Sequence, residues 1–375
     1  MRAETSVLSS APGLQCVPAD LLARADKILF VAHLALGDFT YLQNFFQAFA
    51  RRYPHLQVHL WVDEVRRTDD PAQWESLRKY SLYDWVQACP FFSRVYTRTW
   101  SPQGLEESVR EAQQQAYPLV VSLATLRPAM YASLARRLSP QGFVAGMRAP
   151  AGVFGFGARR AYRQLDASLP WDESRTHGGH ITDVYAGWFR QFFGLDLPPA
   201  QRLPFVDIPP PWQEDAARQL RDWHLDGRKL VFINTFAKTR KRCWPVECAA
   251  QLVLAMRAQA DWRDAGFLVN AMPRDIAAVR QVLQAHGLPD VQIFSAIDNF
   301  FQLPAMLARC SLIISVETAV MHLANAVHVP VIALMRQKNP EWVPIDRAHS
   351  IVITTRRRRD WVKAISVADV MKAIA

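Results

Sequence analysis

The chain has 375 residues, 50% of them hydrophobic, which is enough to bury one large core or two of ordinary domain size. Its twelve Trp and twenty Phe exclude a disordered chain, and its five scattered cysteines exclude a disulfide framework and fit a reducing, cytoplasmic setting. A net charge of +10 asks for an anionic partner: nucleic acid, a phosphorylated substrate or the anionic face of a membrane.

The first 26 residues lack an apolar stretch behind clustered basic residues, so no secretory leader is expected and residues 1–26 are read as a loose extension. No apolar run approaches the ~20 residues that span a bilayer. Lys27–Ala32 (KILFVA) is predicted as a buried strand, 33–38 as a turn, 39–53 as an amphipathic helix and 58–62 (VHLWV) as the next strand. A strand at 119–123, a helix at 127–138 and a strand with a loop at 143–157 continue the pattern. A helical stretch at 178–195 is followed by Pro198-Pro199 and Pro209-Pro210-Pro211, which mark a domain boundary. The alternation then restarts. Helices are predicted at 212–223, 246–258, 276–286 and 301–308, and strands at 229–234, 266–270 and 291–294. Next comes a strand–turn–helix–strand unit from Ser311 to Leu334, and last a helix at 370–374 opened by a Ser366/Asp369 capping box. The predicted fold class is α/β, with two successive α/β domains and a cleft between them.

Four constellations could carry chemistry. Leu36-Gly37-Asp38 follows the first strand; the Gly would permit a tight turn, leaving Asp38 either as a general base at a cleft edge or as a helix cap. Residues 234–245 (NTFAKTRKRCWP) place Thr235, Lys238, Thr239, Arg240, Lys241 and Arg242 after a strand. Hydroxyls and fixed cations at a strand-to-helix turn suit a diphosphate, whose charge must be offset as it leaves; a solvated basic loop is the other reading. Glu317, Thr318 and His322 stand after strand 312–315, with Thr318 as a helix N-cap whose free N–H groups suit phosphate. Arg356–Arg359 is either a solvated loop or a lipid-facing run.

Other features carry less. Cys243 and Cys248 have no second pair or His cluster to complete a zinc site, so no metal is expected. His177 and His180 are read as helix-entry residues. No G-x-G-x-x-G follows a strand and no G-x-x-x-x-G-K-[ST] is present, which disfavours nicotinamide cofactors and P-loop chemistry. The aromatics of 85–100 and 154–156 could stack on sugars, but core packing is their expected use.

Together Leu36-Gly37-Asp38, Arg242-Cys243-Trp244-Pro245 and the run from Val316 to Ala324 (VETAVMHLA) resemble, in order and spacing, the motifs of glycosyltransferase family 9, the heptosyltransferase-like family. The resemblance covers roughly residues 27–375 and implies a GT-B fold of two Rossmann-like domains. It implies an acceptor-side domain at 27–200, a nucleotide-sugar domain at 201–359, and a C-terminal helix, 360–375, packed back on the first. It also implies inversion at the anomeric carbon without an obligatory metal, and no cofactor beyond an ADP-sugar donor substrate. By carry-over Asp38 would deprotonate the acceptor hydroxyl. Thr235, Lys238, Arg242, Thr318, Ala319 and His322 would line the donor diphosphate, and Glu317 would be the donor-site carboxylate.

Four positions depart from the family pattern: Glu317 replaces Asp, Ala319 replaces Gly, and Ala32 and Leu34 replace a basic and a small hydroxyl residue. The Cβ of Ala319 would disfavour φ > 0 where backbone meets phosphate.

The function expected is transfer of a sugar, heptose from ADP-heptose by default, to a lipopolysaccharide core or related glycan. The partners are then a nucleotide-sugar donor and an anionic glycolipid acceptor, with peripheral contact at the inner membrane and no nucleic acid. The alternatives are a GT-B transferase with another donor or a protein acceptor, and a nucleotide- or glycan-binding homologue without catalysis.

Overall fold

A computed structural model describes residues 15–63, 67–152, 154–171 and 179–374, so His177 and most of the expected N-terminal extension lie outside the described residues. Contacts divide the chain into two units, Met1–Arg202 and Leu203–Ala375.

In the first unit the elements run α1 (Ala19–Arg24), β1 (Lys27–Ala32), α2 (Leu36–Arg52) and β2 (Gln57–Val62). Then come α3 (Pro71–Arg78), α4 (Ser81–Ala88), β3 (Arg94–Tyr96), α5 (Pro102–Gln114) and β4 (Leu119–Ser122). The unit closes with α6 (Pro128–Leu138), β5 (Phe143–Arg148), α7 (Phe156–Tyr162), β6 (Ala167–Pro170) and α8 (Ile181–Phe193). Its six strands form one parallel sheet in the order β3-β2-β1-β4-β5-β6.

A parallel sheet is covered on both faces, which is why β1 reads as an unbroken apolar run. Phe30 of β1 meets Phe46 and Phe49 of α2 at 5.0 and 5.2 Å between ring centroids, and Phe193 of α8 at 5.7 Å. This aromatic cluster clamps α2 and α8 against the central strand. The segment before α1 is not loose where it is described: the amides of Cys16 and Val17 donate to carbonyls of α8, and Val17 and Leu22 are buried.

The second unit runs α9 (Pro210–Asp222), β7 (Leu230–Asn234), α10 (Val246–Arg257), β8 (Gly266–Asn270), α11 (Ile276–Ala285) and β9 (Gln292–Phe294). It continues with α12 (Gln302–Leu307), β10 (Leu312–Val316), α13 (Ala319–Ala326), β11 (Val331–Met335), β12 (Ser350–Thr354) and α14 (Val367–Ile374). These strands form a second parallel sheet in the order β12-β11-β10-β7-β8-β9.

The final helix contributes to the core of the second unit. Val370 is buried in the second unit's core, with Val367, Met371 and Ile374 packed against the same cluster. Its apolar face is satisfied locally, by α10 and by Ile365, whose carbonyl accepts from the Trp244 indole N–H at 2.9 Å.

Among the described residues no helix is long and apolar enough to cross a membrane.

Candidate active site

Asp38 stands in the first turn of α2, directly beyond the carboxyl end of β1. It is the third helical residue and not the N-cap, which is Ala35. Its Oδ2 accepts the Ala35 amide at 3.0 Å, and its Oδ1 accepts the Tyr185 hydroxyl of α8 at 3.3 Å. The capping and base readings are therefore compatible, since one oxygen closes the helix start and the other is held across to a second helix. Gly37 has no left-handed φ and lies inside the helix, so it makes no tight turn of the kind expected from the motif. Burial raises the Asp38 carboxyl above the usual carboxylate range, against the lowering effect of the Ala35 and Tyr185 hydrogen bonds and of nearby His33. Burial also raises the Tyr185 phenol well above its ordinary value, reinforced by the Asp38 charge. A carboxylate pushed upward and fixed in orientation is a stronger base than one in water.

The second unit brings together most of the remaining residues. Asn234 ends β7, and its side-chain amide donates to Thr318 Oγ1 at 3.0 Å and to Ser315 Oγ at 3.1 Å, while its Oδ1 accepts from Asn270 at 2.8 Å. This network ties the carboxyl ends of three strands. Thr318 is the N-cap of α13, its hydroxyl accepting the Val320 amide at 3.3 Å. Ala319 opens the helix with ordinary negative φ, so its Cβ carries none of the backbone strain expected of a Gly replacement.

The basic loop is built as a closed excursion. The Trp244 amide donates to the Thr235 carbonyl at 3.0 Å, and Trp244 itself is buried in the core. Between those two anchors Arg240–Arg242 forms one tight turn. Lys238, Thr239, Arg240 and Lys241 are exposed, and Arg242 is half-buried because it turns inward. Its guanidinium lies 3.4 Å from Glu317 Oε1, and the other carboxylate oxygen lies 3.5 Å from Arg336 Nε. Glu317 is 4% exposed. One buried carboxylate thus faces two guanidinium groups at the carboxyl ends of β10 and β11, in charge contact only, since among the described residues neither Glu317 Oε2 nor Arg336 Nε has a hydrogen-bond partner. Thr235 is fully buried, and among the described residues its hydroxyl has no hydrogen-bond partner.

The predicted residues separate accordingly. Thr235, Arg242, Glu317, Thr318 and Ala319 gather at the ends of β7 and β10. Lys238 stays on the exposed loop. His322 is buried one turn into α13, its ring 6.0 Å from that of Trp342. Asp38 belongs to the first unit. Arg336 is not among the predicted residues, because a single Arg after a strand has no pattern to mark it; its position just past the apolar run of β11 is the one signal available. The aromatics of 154–156 are not core: Phe154 is 91% and Phe156 71% exposed, whereas Trp85 is buried as expected.

Comparison with known proteins bears on this arrangement. The family model described as glycosyltransferase family 9 (heptosyltransferase) matches residues 149–367. A glycosyl transferase family 9 protein from Veillonella parvula has the same fold, with TM-score 0.71, 19% identity and coverage of 93% of this chain and 95% of that one. The ADP-heptose lipopolysaccharide heptosyltransferase II of E. coli gives TM-score 0.65 at 15% identity, covering 93% and 97%. The E. coli heptosyltransferase WaaC, solved with ADP, gives 0.63 at 14% identity, covering 93% and 96%. None of the curated proteins matches the chain. These likenesses agree in a GT-B class α/β fold.

Proposed function

The chain belongs to glycosyltransferase family 9, and from that premise we propose that it transfers heptose from ADP-heptose to a lipopolysaccharide core or related anionic glycan, with inversion and without a metal. The observation that carries the donor half is the pair of guanidiniums, Arg242 and Arg336, held on buried Glu317 beside the N-terminus of α13. Breaking the bond between the anomeric carbon and the β-phosphate oxygen leaves a diphosphate whose negative charge must be met as it develops. Fixed cations and helix N–H groups meet it without reorganisation. ADP is the nucleotide of choice because the fold relative WaaC was solved with it.

The acceptor half rests on Asp38. Its carboxylate takes the proton of the acceptor hydroxyl as that oxygen attacks the anomeric carbon, and its raised proton affinity favours the transfer. Nucleic acid has no place in this scheme. The net charge of +10 is instead assigned to phosphorylated donor and acceptor.

The test is thermal stabilisation of the purified protein by ADP, UDP, GDP and CDP, beside an Arg242→Ala variant, followed by a transfer assay with Asp38→Ala. The expected result is a shift specific to ADP, lost in Arg242→Ala, with transfer lost and the ADP shift kept in Asp38→Ala. No shift with any nucleotide overturns the donor site. Full transfer by Asp38→Ala overturns the base.

A further inference from the structure

The carboxyl ends of three adjacent strands in the second unit share a feature that ion pairing does not explain. The parallel register sets Asn234 of β7 beside Ser315 of β10, and Val316 of β10 beside Leu334 of β11. The residues that next leave these strands, Thr235, Glu317 and Arg336, therefore gather at one edge of the sheet. All are buried: Thr235 is 0% and Glu317 4% exposed, and the Arg336 side chain 11%. Among the described residues each carries a buried polar atom with no hydrogen-bond partner, namely Thr235 Oγ1, Glu317 Oε2 and Arg336 Nε. A buried polar atom left unbonded is destabilising, and native chains bond the great majority of them. Such atoms grouped at the carboxyl edge of a parallel sheet, where ligands bind, point to a ligand that bonds them.

Arg336 is also held in place along the chain. The Met335 carbonyl before it accepts the Thr355 amide at 3.0 Å. The Gln337 side-chain amide after it donates to the carbonyls of Thr355 and Arg356 at 2.8 and 3.0 Å. Its backbone is thus anchored to the end of β12, and an anchored group loses little freedom when it binds.

Glu317 Oε2 and Arg336 Nε lie 3.5 Å apart, an acceptor beside a donor. The group that satisfies both follows from their chemistry. A phosphate or carboxylate oxygen would accept from Nε but be repelled by Oε2. An ammonium would be repelled by the guanidinium, and an apolar group would leave both atoms unbonded. A trans amide points its N–H and C=O to opposite sides, so it cannot serve both. A hydroxyl donates and accepts through one oxygen. Placed about 2.8–2.9 Å from each atom, that oxygen closes a triangle on the 3.5 Å base.

Resting on the donor-site reading above and extending it from diphosphate to sugar, we propose that Arg336 is a specificity-determining residue. With Glu317 it reads one hydroxyl of the transferred sugar and selects a neutral, hydroxyl-bearing ring. The charge of the guanidinium still serves the diphosphate, while its Nε–H serves the ring.

The test is isothermal titration of the full chain with ADP, with ADP-heptose and with the cyclohexyl ester of ADP, whose ring has no hydroxyl. The wild type is compared with Arg336→Lys, which keeps a cation beside Glu317 and removes the guanidinium N–H; circular dichroism and thermal melting establish that it is folded. The wild type should bind ADP-heptose about ten-fold or more tighter than the cyclohexyl ester. Arg336→Lys should lose most of that preference, while its affinity for ADP stays within about three-fold of the wild type. Equal binding of ADP-heptose and the cyclohexyl ester by the wild type, a comparison that needs no variant, overturns the proposal and leaves the donor site standing. So does a preference that Arg336→Lys keeps, or a loss in that variant that falls on ADP and ADP-heptose alike, which assigns Arg336 to the diphosphate alone. Absence of ADP binding by the wild type overturns the donor-site reading and the proposal with it.

Discussion

Replacing Glu317 by Gln tests the electrostatic logic of the second unit, because it keeps shape and removes charge. In the native protein the Glu317 carboxylate faces Arg242 at 3.4 Å and Arg336 at 3.5 Å, and both Glu317 and the Arg336 side chain are nearly buried. At an effective dielectric of ~20, each contact is worth ~5 kcal/mol before desolvation is counted. Desolvation offsets much of that, and removing one partner of a buried pair costs ~3–5 kcal/mol. Arg242 is about one-third exposed, so its share is screened and a net loss of ~2–3 kcal/mol is expected. For a unit of this size that lowers Tm by roughly 4–12 °C.

The same substitution should strengthen nucleotide binding. With the carboxylate neutralised, a diphosphate meets two uncompensated guanidiniums and no repelling anion. A repulsion at a generic separation of ~6 Å and a dielectric of ~40 is ~1.4 kcal/mol, or ten-fold in affinity. Differential scanning fluorimetry with an ADP titration reads both effects, because stabilisation grows with ligand concentration over Kd. The reasoning is refuted if Glu317→Gln melts with the wild type, or if it melts lower while ADP binds no tighter.

Other outcomes follow from the first unit and the loop. Tyr185→Phe should move the acid limb of the transfer rate upward in pH, since the Tyr185 hydrogen bond lowers the Asp38 carboxyl; a pH profile of kcat/KM at fixed donor checks it, and Asp38→Asn should lose ~10²–10⁴-fold in rate. Trp244→Ala should cost ~3–5 kcal/mol by cavity formation and weaken ADP stabilisation together with it, as measured by urea unfolding and fluorimetry. His59 is buried and bonded to the Tyr117 hydroxyl at 2.6 Å, and burial, with Arg94 and Lys27 nearby, lowers its pKa to about 4. A folded pKa below the unfolded 6.5 means the unfolded chain binds the proton first, so stability is full above pH 6.5 and declines as pH falls toward 4. The loss is at most ~3 kcal/mol, and His59→Phe should flatten this part of a pH-dependent unfolding curve.

The sequence displayed some parts of this architecture better than others, for physical reasons. β1, β7, β8 and β10 are buried on both faces and read as apolar runs, so they were found close to their ends. The edge strands β3, β6 and β12 alternate buried, half-buried and exposed residues over at most five positions, so no continuous apolar run marks them. The helices of 71–114 are amphipathic but short or polar on average, so no clear apolar period marks them. The capping box of α14 was legible, with the Ser366 amide donating to Asp369 at 3.2 Å and the Asp369 amide to Ser366 at 3.1 Å. Amphipathicity states that a face of that helix must be buried and not against what. Arg336 and Tyr185 are partners made only by tertiary folding, and each stands alone in the sequence.

The departures at Glu317 and Ala319 can now be weighed as physical changes. Ala319 sits in ordinary helical backbone, so its Cβ adds no strain, and its N–H still belongs to the first turn of α13. Glu317 is one methylene longer than the Asp of the family pattern, and the added reach lets its two oxygens face two different guanidiniums, one from the basic loop and one from the end of β11. A shorter carboxylate at the same backbone position would retreat from both by up to the length of a carbon–carbon bond. The longer side chain therefore goes with the second arginine, and the pair keeps a buried cationic centre at the helix N-terminus where anion chemistry needs one. On the proposed donor-site reading, both departures leave the helix N-terminus and two guanidiniums in place for an anion.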